Sequence, residues 1–162
     1  MTQGWVRIDR VSETFSVRSL RASDRDAWGP LWDGYNEFYE RVGPTALPAE
    51  VTETTWSRLL DPAEPMHGLV AELDGRVVGL AHYLFHRSTT MVPDNCLLHD
   101  LYTVPEARGH GVARALIEAV YEAAAAAGSI RVYWQTHHTN ARARALYDTV
   151  AESGFMVYRH DL

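Results

Sequence analysis

Residues 104–120, VPEARGHGVARALIEAV, place a turn containing Gly109 and Gly111 directly before a run of helix-forming residues. The residues just before the turn, Cys96–Val104 (CLLHDLYTV), have the apolar and β-branched character of a strand. A strand, a glycine turn and a helix in this order direct several free backbone N–H groups at one point. Phosphate oxygens suit such a point, and Arg108 adds positive charge. The same residues are compatible with a tight strand-to-helix connection that binds no ligand.

Two common phosphate-binding motifs do not fit this turn. The nucleotide P-loop requires Lys followed by Ser or Thr after its last glycine, where this chain has Val112 and Ala113. The dinucleotide fingerprint requires a small residue at the position of Arg114. It also requires an acidic residue about 20 positions later, at the end of a second parallel strand. The chain has IRVYWQT there, so neither motif is predicted.

Upstream of the turn, the pattern predicts helices between strands. Phe15–Leu20 alternates as a first strand does, and residues 24–40 carry aromatic side chains at helical spacing. Pro30 is a candidate break that would divide this helix in two. Val51–Leu60 predicts a short helix, and Asp74-Gly75 between two alternating apolar runs predicts a β-hairpin within residues 68–86.

Downstream of the turn, a helix is predicted over Val112–Ala127, ended by Gly128. Further predictions are a strand over Ile130–Thr136, a helix from an Asn140 cap to Val150 or Glu152, and a last strand over Phe155–Leu162. The predicted order is strand, helices, three strands, helix, strand, helix, strand. This order indicates an α/β or α+β fold, with helices on the faces of a sheet.

Composition limits the class of protein. The chain has 162 residues, of which 46% are hydrophobic, as expected of one domain with a sizeable core. A formal charge of −6 disfavours nucleic-acid and anionic-membrane partners, which require a basic face. Cys96 is the only cysteine, so no disulfide within the chain is expected. No signal peptide or apolar run of roughly 20 residues is found, and a soluble, cytoplasmic protein is the simplest expectation.

Arg108–Ala113 (RGHGVA) resembles the Arg/Gln-x-x-Gly-x-Gly/Ala signature with which GNAT-superfamily N-acetyltransferases bind the pyrophosphate of acetyl coenzyme A. The surroundings are similar too, from GLAHYLFH at residues 79–86 to ALYDTVAESGF at residues 145–155. Within the superfamily, these runs are most similar to the spermidine/spermine (diamine) acetyltransferase branch. The resemblance implies one N-acetyltransferase domain over residues 1–162, with residues 1–13 or so as an N-terminal extension. It also implies a mixed, mostly antiparallel sheet flanked by helices.

Acetyl transfer to an amine requires a base, because an aliphatic amine is protonated near neutral pH. His99 and Asp100 are the nearest candidates, and as strand neighbours they are expected on opposite faces, with His99 on the face of Leu97, Leu101 and Thr103. In the diamine branch, a glutamate at the position of His99 is the base and an aspartate matches Asp100. A histidine can serve as base near pH 7, but the lost negative charge disfavours a polyamine acceptor. His99 as a half-buried structural residue and Asp100 as its orienting partner are the alternatives.

The resemblance assigns further roles. Tyr147 matches the usual general acid that protonates the departing thiolate, with ordinary sheet packing as the alternative. Asn140 matches a residue that contacts the coenzyme, although a helix cap explains it equally well. The main chain of Leu101, Tyr102 and Thr103 corresponds to the strand that pairs with the pantetheine arm. Phosphate contacts fall on Arg108, Gly109, His110, Gly111, Val112, Ala113 and Arg114.

The acceptor pocket is expected at the aromatic helix. Its candidate residues, which could also be ordinary core, are Trp28, Trp32, Tyr35, Glu37, Phe38, Tyr39 and Glu40. No metal is expected, since solvated loop positions account for His82, His86, His137 and His138.

The main hypothesis is an acetyl-CoA-dependent N-acetyltransferase that acts directly on the primary amine of a small molecule. No cysteine in the motifs could carry a covalent acetyl group, which favours direct transfer. Two alternatives stay open: a non-catalytic acyl-CoA-binding module, and an acetyltransferase for protein lysines or N-termini. A homodimer is implied because family members are often dimers.

Overall fold

The computed structural model describes residues 15–162 and the backbone of Val6–Ile8. Its sheet has six strands in the order in which they occur along the chain. These strands are β1 (Val6–Ile8), β2 (Phe15–Ser19), β3 (Met66–Leu73), β4 (Arg76–His86), β5 (Asn95–Thr103) and β6 (Val132–Tyr133). The helices are α1 (Arg25–Phe38), α2 (Ala49–Leu60), α3 (Val112–Ala126) and α4 (Ala141–Tyr147). Apart from β1, the expected N-terminal extension lies outside the described residues.

The sheet is mixed and mostly antiparallel, as predicted. Strands β1 to β5 pair antiparallel in succession, and β6 pairs with β5 in parallel. Helix α3 packs on one face, where Leu116, Ile117 and Val120 are fully buried. Trp28 and Trp32 of α1 and Leu59 of α2 form a second core on the opposite face. Each fully buried side chain of this kind contributes about 1.5–3 kcal/mol of transfer free energy, so both faces stabilise the sheet.

The hairpin between β3 and β4 is confirmed. Asp74 and Gly75 have φ values of 49° and 74°, the left-handed conformation that a tight type I′ turn requires at both positions. The predicted helix end at Gly128 is confirmed as well, with a φ of 81°.

Helix α1 is one continuous helix, and the candidate break at Pro30 is wrong. A proline in a helix removes one intrahelical hydrogen bond and crowds the carbonyl four residues earlier, at a cost of about 3 kcal/mol. Trp28, Leu31, Trp32 and Tyr35 are all buried on one face of α1, and this packing on both sides of Pro30 outweighs that loss.

The C-terminal part of the chain departs from the prediction. Only Val132–Tyr133 of the strand predicted over Ile130–Thr136 is formed, and α4 ends at Tyr147, before Val150. The predicted last strand over Phe155–Leu162 is absent, and Phe155, Val157 and Tyr158 are exposed. The two-residue strand β6 offers almost no edge with which another strand could pair. The open edge of β5 beyond Leu97 is not paired with these residues either.

Among residues 15–162 and β1, no helix is both long and apolar enough to cross a membrane.

Candidate active site

The glycine turn leads from the end of β5 into α3. Gly109 and Gly111 both have a φ of 85°, and a Cβ built on either would meet no atom within 4 Å. Gly111 caps α3 without a side-chain hydrogen bond to the first turn. The N–H groups of Val112, Ala113 and Arg114 lie in that first turn, where a helix provides no carbonyl partners. The turn therefore presents backbone donors, the positive end of the helix dipole and open space together.

Arg108 of the signature and Arg114, which follows it, are held by hydrogen bonds. The Nε atom of Arg108 donates to the carbonyl oxygen of Thr103 at 3.0 Å, and its guanidinium lies 5.8 Å from the centre of the Tyr102 ring. An Nη atom of Arg114 donates to Oγ1 of Thr149 at 2.7 Å. Arg108 thus ties the turn to the strand before it, and Arg114 ties α3 to the segment after α4.

Strands β5 and β6 form a wedge that leads to this turn. They pair only at Cys96 with Val132 and at Leu97 with Tyr133. Beyond this point β5 continues to Thr103 without a β6 partner, so its edge can pair with an extended ligand. The predicted pantetheine-binding residues Leu101, Tyr102 and Thr103 lie on this part of β5.

A β-bulge at His99 gives His99 and Asp100 an orientation that differs from the one expected of a regular strand. On β4, His82 pairs with Asp100 and the next residue, Tyr83, pairs with Leu98, so His99 is the extra residue. A bulge interrupts the alternation of side chains along a strand. The Nδ1 atom of His99 consequently lies 3.1 Å from Oδ1 of Asp100, although neighbours on a regular strand face apart. The expectation that the two side chains point to opposite faces is wrong.

The bulge also changes the face of the residues that follow it. Leu98 and Leu101, three residues apart, both pack in the core beside α3. Tyr102 packs with the second core beside α1, where its hydroxyl leaves no room for a Cβ at Gly34. The predicted grouping of His99 with Leu101 on one face is therefore wrong.

A buried chain of hydrogen bonds runs from Trp28 through His82 to Asp100. The indole Nε1 of Trp28 donates to Nε2 of His82 at 3.0 Å. Since Nε2 is the acceptor, the proton of His82 lies on Nδ1, which is 3.0 Å from Oδ2 of Asp100. His82 is therefore a neutral donor to Asp100, and the expectation of a solvated loop histidine is wrong at this position because β4 carries it into the core.

These contacts shift both pKa values at the bulge. Burial acts to raise the pKa of Asp100, but hydrogen bonds from His82 and His99 outweigh it and hold that pKa well below its usual range. The hydrogen bond to Asp100 and its negative charge raise the pKa of His99, against burial and the charge of Arg41. The Asp100 carboxylate is therefore ionised and holds His99 by Nδ1.

Tyr35 and Tyr39 interact electrostatically with Asp100, and Tyr147 interacts with Tyr39. Burial and the negative charge of Asp100 raise the pKa of Tyr35 and of Tyr39. Burial raises the pKa of Tyr147 to about 12, and the nearby Tyr39 contributes. Tyr147 packs edge-on against Trp134, with 5.4 Å between ring centres. Tyr39 therefore interacts electrostatically with both the carboxylate of Asp100 and the predicted acid Tyr147.

The other predicted residues divide into core and surface. Trp32 is buried, where its indole donates to Oγ1 of Thr52 at 3.2 Å, so it serves the core. Glu37 is exposed at the end of α1. Asn140 caps α4, since its Oδ1 accepts from the N–H of Ala143 at 3.3 Å. Its contact with a coenzyme stays a prediction.

Sequence reasoning missed two parts of the site. The His82–Trp28 pair joins strand β4 to helix α1, and a periodic pattern does not indicate which aromatic ring meets which histidine. Arg41 lies after α1, and its guanidinium reaches back to the rings of Tyr35 and Tyr39. Within the part of the chain that the structure describes, no group of three His, Cys, Asp or Glu residues could hold a metal.

Comparisons with known proteins agree with this geometry. The model of the acetyltransferase (GNAT) family matches residues 28–151. A D-amino-acid N-acetyltransferase of Saccharomyces cerevisiae is 38% identical over 143 residues, which cover 87% of this chain and 86% of that protein. A thialysine N-epsilon-acetyltransferase of Caenorhabditis elegans is 30% identical over 102 residues, or 59% of this chain and 63% of that protein.

A solved structure has the same fold. An aminoglycoside N-acetyltransferase in complex with CoA gives a TM-score of 0.77 at 16% identity, covering 95% of this chain and 99% of that one. The family model matches well over half of the residues, and the yeast relative is similar over nearly the whole length. The chain therefore belongs to the GNAT family and is an acetyl-CoA-dependent N-acetyltransferase.

Proposed function

We propose that this enzyme transfers the acetyl group of acetyl-CoA directly to the primary amine of a small molecule, within a ternary complex. The observation that carries the proposal is the wedge between β5 and β6. The glycine turn at its end offers backbone donors to an anion, and His99, held by Asp100, lies along it. Tyr39 interacts electrostatically with Asp100, and Tyr147 with Tyr39. Acyl transfer needs these parts together: an anchor for the donor, a base and an acid.

The residues present fit acetyl-CoA. The first-turn N–H groups of α3 and the space above Gly109 and Gly111 suit a pyrophosphate, and the free edge of β5 suits the amide groups of a pantetheine arm. Acetyl-CoA would supply the thioester whose acetyl group is transferred. The expected contacts are those of Arg108–Arg114, Leu101–Thr103 and Asn140.

His99 is the proposed general base. Its Nδ1–H donates to Asp100, so Nε2 carries the free lone pair that accepts a proton from the amine. The amine nitrogen then bonds to the acetyl carbon, and the bond from that carbon to sulfur breaks. Tyr147 donates its phenolic proton to the departing thiolate, and the products are an acetamide and the CoA thiol. Asp100 acts through His99 and is a positioning residue.

The acceptor class is the next part of the proposal. The yeast relative is a D-amino-acid N-acetyltransferase, and its similarity over most of both chains supports a free amino acid as acceptor. The finer similarity to the diamine branch rests on the sequence runs quoted above. The shorter match to a thialysine acetyltransferase supports it weakly, and histidine in place of glutamate at position 99 speaks against a polyamine.

A thiol-release screen with purified protein, acetyl-CoA and a panel of amines tests the function. The panel contains amino acids, polyamines, aminoglycosides and lysine peptides, and acetylation of small amines is expected. Tyr147→Phe should lower turnover about 100-fold, the usual scale of a lost general acid, with little change in the Kd of acetyl-CoA. The matched control is Tyr158→Phe on the exposed C-terminal segment.

Two other results would contradict the proposal. Binding of acetyl-CoA without release of thiol across the panel would favour a non-catalytic binding module. Acetylation of peptides alone would favour a protein acetyltransferase.

We also propose that the chain forms a homodimer through Phe155–Tyr158. Four consecutive apolar side chains, Phe155, Met156, Val157 and Tyr158, are exposed there. A contiguous exposed apolar stretch of this kind favours association. The expected cytoplasmic location stays a prediction.

A further inference from the structure

The chain turns back sharply at the end of helix α1. Glu40 has a φ of 58°, in the left-handed region. Its N–H donates to the carbonyl of Glu37 at 2.9 Å, and the N–H of Arg41 donates to the carbonyl of Asn36 at 3.0 Å. This pair of bonds is a helix-ending motif that fixes the direction of the following residue. The backbone position of Arg41 is therefore fixed by these hydrogen bonds at the end of α1.

The side chain of Arg41 is also held. An Nη atom donates to Oδ1 of Asn36 at 2.9 Å, and the buried Asn36 is oriented because its Nδ2 donates to the carbonyl of Trp32 at 2.8 Å. The guanidinium lies 5.8 Å from the ring centre of Tyr35 and 5.2 Å from that of Tyr39. Stacking and one hydrogen bond hold the plane of the guanidinium and leave most of its five N–H groups available.

The position of Arg41 joins it to the acyl-transfer centre. Its charge acts on His99, Tyr35 and Tyr39 and opposes the rise in the pKa of each. In residues 15–162 it makes no salt bridge, although Glu37 and Glu40 lie on the same turn. Within these residues, the partly buried guanidinium has no carboxylate partner, and its charge reaches the proposed base.

We infer that Arg41 binds the carboxylate of the acceptor, and that the acceptors are amino acids. The inference rests on the proposed function and specifies its acceptor. A guanidinium pairs with a carboxylate through two parallel N–H···O bonds, which fixes the orientation of a small substrate as well as its charge. The same cation repels the second ammonium group of a diamine, so it disfavours polyamines.

Steady-state kinetics with matched acceptors test this inference. The acceptors are the D and L forms of methionine and the corresponding methionine amides, which lack the negative charge. Arg41→Gln removes the charge and keeps a side chain that can bond to Asn36. We expect the wild type to prefer the acid in kcat/KM. Loss of a charge-assisted hydrogen-bonded pair should lower that value about 10- to 100-fold in Arg41→Gln, mostly through KM.

Four controls separate recognition of the carboxylate from general damage to the enzyme. The amide is compared at a pH well above the pKa of His99, where the charge of Arg41 no longer changes the fraction of neutral base. There the amide should be acetylated at nearly the same rate by Arg41→Gln and by the wild type, and the KM of acetyl-CoA should not change. Arg41→Lys keeps the positive charge but not the planar guanidinium, so its kcat/KM for the acid should lie between those of the wild type and of Arg41→Gln. Arg58→Gln, on the exposed end of α2, should match the wild type.

A binding measurement tests the role of Arg41 separately from the proposed acetyl transfer. Titration of methionine into protein saturated with CoA should show binding that Arg41→Gln weakens, whether or not acetyl transfer occurs. Equal losses for acid and amide, or unchanged binding of methionine in Arg41→Gln, would overturn the inference while leaving an N-acetyltransferase intact. Failure of every amine to react would instead contradict the proposed function.

Discussion

At the scale of single residues, the chemistry depends on which side of a strand a side chain occupies. His99 and Asp100 are adjacent, and regular alternation would separate them. One extra residue in β5 brings both side chains to the same side of the strand. There Asp100 also accepts a hydrogen bond from His82 of β4. The identity of the base could thus be proposed from the sequence, but its partnership with Asp100 could not.

The pH dependence of turnover follows from this partnership. His99 accepts a proton only when neutral, which is the major form above its pKa. Because Asp100 raises that pKa above the ordinary 6.5, kcat should rise with pH through a midpoint above 6.5. Asp100→Asn removes the negative charge, so the midpoint should move to lower pH. The maximal rate should fall about 10-fold as the ring loses its orientation.

Nuclear magnetic resonance titration of His99 provides the direct measurement and needs no substrate. The resonance should titrate above 6.5 in the wild type and lower in Asp100→Asn. Asp100→Glu, which keeps the carboxylate, should restore part of both effects. Circular dichroism monitors folding, since Asp100 is buried. An unchanged kcat–pH profile in His99→Ala would show that His99 is not the general base.

At the scale of elements, the turn before α3 has the conformation that its glycines indicated. Gly109 and Gly111 are needed for a positive φ and for open space above the main chain, and both properties are local. The same is true of the Asp74-Gly75 hairpin. Pro30 did not predict a break in the helix, because its local destabilisation of α1 is outweighed by packing of the whole aromatic face of that helix.

A pair of glycine substitutions separates the backbone effect from the ligand effect. Gly111→Ala and Gly128→Ala both place a Cβ at positive φ with no atom within 4 Å. Each should lower the free energy of unfolding by a similar amount, about 1 kcal/mol. Only Gly111→Ala should weaken acetyl-CoA, about 10-fold or more, since its Cβ would occupy the ligand's approach to the main chain.

Thermal unfolding and titration calorimetry provide the two readouts. Equal Kd values for acetyl-CoA in the two variants would show that the turn does not contact the coenzyme.

At the scale of the whole molecule, the divergence of β5 and β6 creates the proposed donor site, and the C-terminal segment is left outside the sheet. The strand pattern of Phe155–Leu162 requires a partner edge that β6 is too short to provide. A second copy of the chain could cover the four apolar side chains, each with about 1.5–3 kcal/mol available on full burial.

Light scattering after gel filtration tests the dimer. We expect twice the chain mass for the wild type and a single-chain mass for the double variant Phe155→Asp, Val157→Asp, because buried charges oppose association. The control double variant Thr89→Asp, Thr90→Asp carries the same charge on an exposed loop and should stay dimeric. A monomeric wild type at tens of micromolar concentration would refute this interface.

The sequence by itself determined the mixed fold, the hairpin, the glycine turn and the candidates His99, Asp100 and Tyr147. The hairpin, the glycine turn and the order of helices and strands follow from local periodicity and turn chemistry, whereas the sheet type and the candidate role of Tyr147 rest on the resemblance to the GNAT family. Only the tertiary structure decided the bulge at His99, the burial of His82 and the return of Arg41 over the tyrosines of α1. The first two depend on strand register and on contacts between residues far apart in the sequence, which the local pattern does not specify. The return of Arg41 is local, but it depends on a left-handed backbone at Glu40, a residue type that does not indicate a helix-ending turn.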